Sequence, residues 1–207
     1  MSLKRVVWAA GWWRHARRVA SPNFGARPTG ERISLAVVHS ISLPPGQYGG
    51  NAVERFFTNS LDPGAHPYYE ALRGVRVSAH FFIRRDGRVL QFVSCDQRAW
   101  HAGESSWAGR AQCNDYSIGI ELEGLEGLTF EPTQYAALAR LLRALARRHP
   151  LEHVVGHEHI APERKGDPGP GFDWTRLCRE ARWPAHANAP IFVPHAMRTS
   201  PDKVRYR

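Results

Sequence analysis

Cysteine is scarce in this chain: Cys95, Cys113 and Cys178 are the only three, odd in number and far apart. That excludes a CxxC metal knuckle and a closed disulfide framework, and it fits a reducing compartment. Long apolar runs are missing as well, so no membrane span is expected. The opening "MSLKRVVWAAGWWRHARR" has a basic start and a short apolar run, but the run is rich in Trp and no small-residue cleavage site follows. A secretory signal is therefore not expected, and the expected location is cytoplasmic. Acidic residues are the minority charge, 19 against 28 Lys and Arg, for a formal charge of +9. The arginines are dispersed, with neither zinc-finger spacing nor an RRM signature among them. A solvated basic surface or attraction of an acidic ligand accounts for that charge, and a nucleic-acid partner is not expected.

Hydrophobic residues make up 43% of the chain, with seven Trp and nine Phe, enough for a sizeable core. Nothing inside the chain reads as a flexible linker, so one domain is expected. "RISLAVVHS" is a strand whose period of two puts Ile33, Leu35, Val37 and His39 on one face. "NAVERFFTN" reads as a short helix that Asn51 can cap. "VSAHFFIRRDGRVLQFVS" has two apolar arms around Asp86-Gly87, the dipeptide of a two-residue type I′ hairpin. In "DYSIGIELEG" an oily face of Tyr116, Ile118, Ile120 and Leu122 alternates with Ser117, Gly119, Glu121 and Glu123.

"PTQYAALARLLRALARRHP" is amphipathic, with Tyr135, Leu138, Leu141, Leu142 and Leu145 on one stripe and arginines towards its C-terminal end. "LEHVVGH" reads as a short strand delivering His157, and "DWTRLCREARWP" as a last helix capped by Asp173. The expected fold class is α+β: a single domain, residues 1–184, with a mixed β-sheet flanked by helices. A basic tail, residues 185–207, lacks apolar periodicity and is expected to pack loosely or not at all.

Two histidines and a carboxylate brought from separate loops can hold zinc and leave a fourth position open for hydrolytic chemistry. His39 and the segment around His157 are the natural candidates. Spacing alone does not choose among eleven histidines. On an extended strand His157 and His159 would share a face, which makes them a rival ligand pair.

The blocks "VVHSISLPPGQYGG", "VSAHFFIRRDGRVLQFV", "RAWHAGESS", "CNDYSIGIELEG" and "GHEHIAPERKGDPGPGFDW" together resemble the cytosolic AmpD-type N-acetylmuramoyl-L-alanine amidases. The likeness runs in one order from about "GWWRHARRVASPNFGARP" to "DWTRLCREARWP", leaving out the tail. It implies a mixed sheet flanked by helices, a fold also found in phage lysozyme-type amidases and peptidoglycan recognition proteins. It implies Zn²⁺ held by His39, His157 and Asp167, and a small muropeptide substrate cut at the amide between the lactyl group of N-acetylmuramic acid, usually in its 1,6-anhydro form, and L-alanine.

Glu121 matches the family's general base, which takes a proton from the attacking water and returns one to the departing nitrogen. Lys165 matches its catalytic lysine, placed to stabilise the negative charge of the intermediate. The family does not use the His159 position as a ligand, and Glu158 and Glu163 read as surface or loop residues. Glu123 reads as a hydrogen-bonded or salt-bridged support. Arg76, Trp100 and Arg110 match substrate-binding positions, Arg76 suiting a two-pronged contact with a peptide carboxylate. His101 reads as a cleft or core histidine and His80 as core. Ser40 stands where Asn often follows the first ligand, and Gln112 where Arg often precedes "CND". A monomer is favoured. The competing expectation is a non-catalytic binder of peptidoglycan fragments with the same fold.

Overall fold

The strands expected at "LAVVHS" and "SIGIELEG" form at Leu35–Ile41 and Ser117–Glu123, and nearly every side chain in them is buried. Burial on both faces is what parallel strands in the middle of a covered sheet require. They pair in parallel, and the register sets Glu121 opposite His39. The computed structural model describes residues 7–181 and 191–192. Its main sheet comprises β1 (Arg17–Arg18), β2 (Leu35–Ile41), β3 (Phe81–Ile83), β4 (Val89–Gln91), β5 (Ser117–Glu123), β6 (His153–Gly156) and β7 (Ile191–Phe192). Their spatial order is β7-β6-β2-β5-β3-β4-β1, and among these described strands only β3 and β4 run antiparallel to each other.

One sheet face is apolar and takes the helices α3 (Pro132–Ala146) and α5 (Trp174–Ala181). Ala36, Val38, Ile118, Ile120 and Leu122 meet the α3 stripe of Tyr135, Leu138, Leu141, Leu142 and Leu145 there, in a cluster that Ile33 also joins from just before β2. Truncating one of those leucines to Ala would cost about 2–5 kcal/mol, the range for a buried side chain whose neighbours cannot collapse into the gap. Gln134, in the first turn of α3, donates to the carbonyls of Ile83 and Glu123 and so ties the helix to two strands. Arg143 donates to the carbonyls of Glu180 and Ala181, satisfying the C-terminal end of α5. Asp173 Oδ1 accepts from Arg176 N–H at 2.8 Å, the expected cap of α5.

The opposite face carries Leu35 and Val37 with Ala102, Cys113, Tyr116, Val155 and Ile160. It also carries, by period two, His39 and Glu121. The two helices therefore support the functional face from behind.

Three local expectations are corrected. The period of two does not extend past the strand ends: Ile33 packs in the helix-side cluster and Tyr116 in the opposite one. The β3–β4 hairpin is not a two-residue type I′ turn: Ile83 pairs with Val89, Gly87 N–H bonds Arg84 O, and only Gly87 has positive φ. That is a type I turn followed by a left-handed glycine. Asp86 stays at negative φ with its carboxylate accepting from Arg88 N–H at 2.9 Å. In α1 (Ala52–Phe57), which the single turn α2 (Pro67–Glu70) follows in the chain, Asn51 occupies the N-cap position without a side-chain capping bond. In the tail, Ile191–Phe192 add a parallel strand beside His153–Val154. The remainder of residues 185–207 lies outside the described residues.

Candidate metal centre

His39 comes from near the C-terminal end of β2. His157 opens α4 (His157–Ile160), a single turn directly after β6. Since β6 and β2 are neighbours with Gly156 opposite Val38, the next residue of β6's chain arrives beside His39. Asp167 reaches the same point from the loop after α4. The Nδ1 atoms of His39 and His157 lie 2.9 Å apart, and Asp167 Oδ2 is 3.3 Å from each. A tetrahedral metal with bonds of about 2.0–2.1 Å sets its ligand atoms about 3.3 Å apart, so this triangle of two imidazole nitrogens and a carboxylate oxygen fits a metal ion.

Beside the triangle, Glu121 is 9% exposed and its Oε2 is buried with no hydrogen-bond partner. A polar atom left this way is costly to the fold unless a ligand or substrate uses it. Burial, and after it the charge of Asp167, pushes the Glu121 carboxyl well above its usual range, while Lys165 pulls it down. Burial alone would raise Asp167 too, but hydrogen bonds with His157 and His39 outweigh it and hold the carboxylate below its usual range. Two carboxyls near one point thus differ in proton affinity, the pattern that separates a ligand from a proton carrier. Lys165 is exposed, and its positive charge is felt at both His39 and Glu121.

His159 does not join the set. Because α4 is helical, not extended, His159 turns away from His157. Its Nδ1 accepts from Gly156 N–H at 2.8 Å and its ring packs edge-on against Trp174. Glu158, expected at the surface, is instead half-buried and clamps the Asp167 loop. Its own N–H donates to Asp167 O at 2.9 Å, and its Oε2 accepts from Gly169 N–H at 2.8 Å. Burial pushes its pKa up to about 7. Glu123 is a support: its oxygens accept from Gly49 N–H, Arg85 N–H and the Arg84 guanidinium.

The model of the N-acetylmuramoyl-L-alanine amidase family matches residues 29–170, a span that includes His39, Glu121, His157, Lys165 and Asp167. The chain belongs to that family. It is 54% identical over 169 residues to the 1,6-anhydro-N-acetylmuramyl-L-alanine amidase AmpD of Citrobacter freundii, covering 81% of this chain and 90% of that protein. A crystal structure of a selenomethionine derivative of AmpD superposes with a TM-score of 0.81 at 51% identity, over 84% of this chain and 99% of the other. The amidase AmiD from E. coli, solved with anhydro-N-acetylmuramic acid-L-Ala-D-gamma-Glu-L-Lys, matches with a TM-score of 0.54 at 32% identity, over 77% of this chain and 61% of that one.

Of the residues expected to meet substrate, Trp100 is tied to the triangle through the chain, by its neighbour His101. It is half-buried, immediately precedes His101, and its backbone N–H donates to Ser78 Oγ. His101 itself faces His39 at 2.9 Å, a contact that the sequence did not reveal. Arg110 is held by both oxygens of Glu31 at 3.0 Å and lies over the Tyr116 ring. Arg76 is exposed on a separate cavity of about 170 Å³ lined with Tyr69 and Leu72, which includes none of the five site residues. Ser40 Oγ is buried without a partner, and Gln112 adopts a left-handed conformation before the "CND" turn.

The buried histidines set how the metal-free amidase responds to pH. Burial lowers His39 and His149 to about 4, lowers His159 as well, and with neighbouring charges holds His80 and His101 well below the ordinary imidazole range. An unfolded chain protonates them near 6.5, so between about pH 6.5 and 4 it binds more protons than the folded one and stability drops with pH. Glu121 and Glu158 act in the opposite sense. They stay protonated when folded but ionise in the unfolded chain above about 4.5, which adds stability as pH falls. Five histidines, two of them partly exposed, outweigh two acids. Urea denaturation of metal-free protein is expected to give a loss of at least about 1 kcal/mol per pH unit from pH 6 to 5. Stability that stayed level or rose on acidification would contradict this balance.

Proposed function

We propose that the chain is a zinc-dependent amidase that hydrolyses the bond between the lactyl group of 1,6-anhydro-N-acetylmuramic acid and L-alanine in small muropeptides, as part of cytoplasmic cell-wall recycling. The observation that carries this reading is the donor triangle of His39, His157 and Asp167 with the unpartnered Glu121 oxygen beside it. AmpD relatives named for this activity and an AmiD complex with an anhydromuropeptide support it. No helix among the described residues is long and apolar enough to cross a membrane.

Two nitrogens and one oxygen match the ligand chemistry of zinc in hydrolases, and bound there the ion would acidify a water and polarise the amide carbonyl. Glu121, raised in proton affinity and free at Oε2, accepts a proton from the attacking water and hands one to the departing alanine nitrogen. Lys165 adds positive charge where the carbonyl oxygen becomes negative. Trp100 offers an indole face to sugar or peptide, whereas Arg110 is engaged by Glu31 and Arg76 sits on a separate cavity, so neither carries this reading.

The test is incubation of zinc-loaded protein with anhydromuropeptide, followed by liquid-chromatographic detection of freed sugar and peptide. About one zinc per chain, release of both products, loss on chelation and recovery with Zn²⁺ are expected. Intact substrate after prolonged incubation would favour the binding-only protein of the same fold.

A further inference from the structure

Each ligand histidine turns one ring nitrogen to the metal triangle, and the two remaining nitrogens converge on a single pair of consecutive residues. His39 Nε2 lies 2.9 Å from His101 Nδ1, and His157 Nε2 lies 3.2 Å from the backbone oxygen of Ala102. That pair is itself fixed: Asn114 Oδ1, from the "CND" turn, accepts from both His101 N–H at 3.1 Å and Ala102 N–H at 2.9 Å. Behind His101, its Nε2 faces Ser117 Oγ at 3.0 Å. Gly119 makes the seat for the ring, since a Cβ there would fall 2.3 Å from His101 Cγ.

The donor and acceptor assignments follow from these contacts. A carbonyl oxygen only accepts, so His157 carries its proton on Nε2 and presents a lone pair at Nδ1, towards the triangle. For His39 to do the same, its Nε2 must carry the proton and give it to an acceptor. His101 Nδ1 is that acceptor only if the His101 proton sits on Nε2, directed at Ser117. One side chain and one neighbouring carbonyl thus select the metal-binding tautomer of two ligands that are 118 residues apart in sequence.

We propose that His101-Ala102, pinned by Asn114, is the positioning element that sets the tautomer and orientation of both histidine ligands. This rests on the metal reading above. A histidine that merely filled space would be replaceable by an apolar side chain, whereas a hydrogen-bond acceptor for His39 is replaceable only by another acceptor. Partners of this kind usually change metal affinity about 10–100-fold when removed.

The experiment compares Zn²⁺ affinity, by competition with a chromophoric chelator, in the parent, His101→Leu and His101→Gln proteins, with Co²⁺ absorption spectra as a second readout. His101→Leu is expected to weaken Zn²⁺ binding about 10–100-fold and alter the Co²⁺ spectrum, while His101→Gln, which keeps an acceptor oxygen, recovers most of the affinity. Long-range ¹H–¹⁵N NMR of the zinc-loaded parent, which needs no variant to fold, is expected to find protons on Nε2 of His39, His101 and His157. A proton on His101 Nδ1, or His101→Leu binding Zn²⁺ as tightly as the parent, overturns the proposal while leaving the metal reading intact. A parent that binds no Zn²⁺ overturns both.

Discussion

Replacing Glu121 with Gln is expected to lower the turnover of the zinc-loaded amidase about 10²–10⁴-fold, the usual worth of a general acid–base group, with zinc content unchanged. The substitution keeps shape and removes only the ability to take up a proton. Glu121 stands in register with His39 on the functional face, yet it is outside the donor triangle, so metal retention is the control that separates proton transfer from ligation. Stability gives a second control. Oε2 has no hydrogen-bond partner, and burial disfavours the charged form, so a neutral amide leaves the metal-free fold as stable or more so. A variant that is slower and no less stable is what a group retained for chemistry predicts. Turnover within tenfold of the parent, measured with full zinc occupancy, would remove Glu121 from the reaction. Glu123 differs in this respect although it shares the strand face, because both of its oxygens are already engaged by Gly49, Arg84 and Arg85.

Period-two alternation was enough to put Glu121 and Glu123 on one face, but it could not distinguish them. The difference lies in partners from other segments. The central strands, α3 and α5 were legible because their apolar periodicity is local. Pairing of β2 with β5 was not, since His39 and Glu121 are 82 positions apart in sequence and meet only through sheet register. The same limit hid the Glu31 partner of Arg110 and the hold of Asn114 on His101-Ala102. Turn chemistry misled at Asp86-Gly87, where Asp86 keeps negative φ and bonds Arg88, and at Glu158, whose acidic character suggested solvent although its carboxylate closes a loop. The ligand set and substrate came from matched sequence blocks; strand and helix pattern alone names neither, because one fold hosts many chemistries.

The sharpest test of the ligand set pairs Asp167→Ala with His159→Ala. Asp167→Ala is expected to weaken zinc binding by about 10²-fold or more, since a total of roughly 10–16 kcal/mol shared over a few ligands gives each about 3 kcal/mol. His159→Ala is expected to leave affinity within about threefold, because its Nδ1 is already taken by Gly156 N–H. The reason for the contrast is where β6 ends. Were the chain extended through His159, both histidines would face one way and could share a metal. The helical turn at His157 instead assigns three successive side chains to three tasks: His157 to the triangle, Glu158 to the Gly169 backbone, His159 to the end of β6. Asp167 is the sole anion among the three donors, and the Glu158 bonds to Asp167 O and from Gly169 N–H hold its loop on both sides. Zinc per chain after dialysis against a zinc buffer reads both variants at once. Retention by Asp167→Ala with loss by His159→Ala would mean that the turn opens in solution and that the H-x-H pair holds the metal.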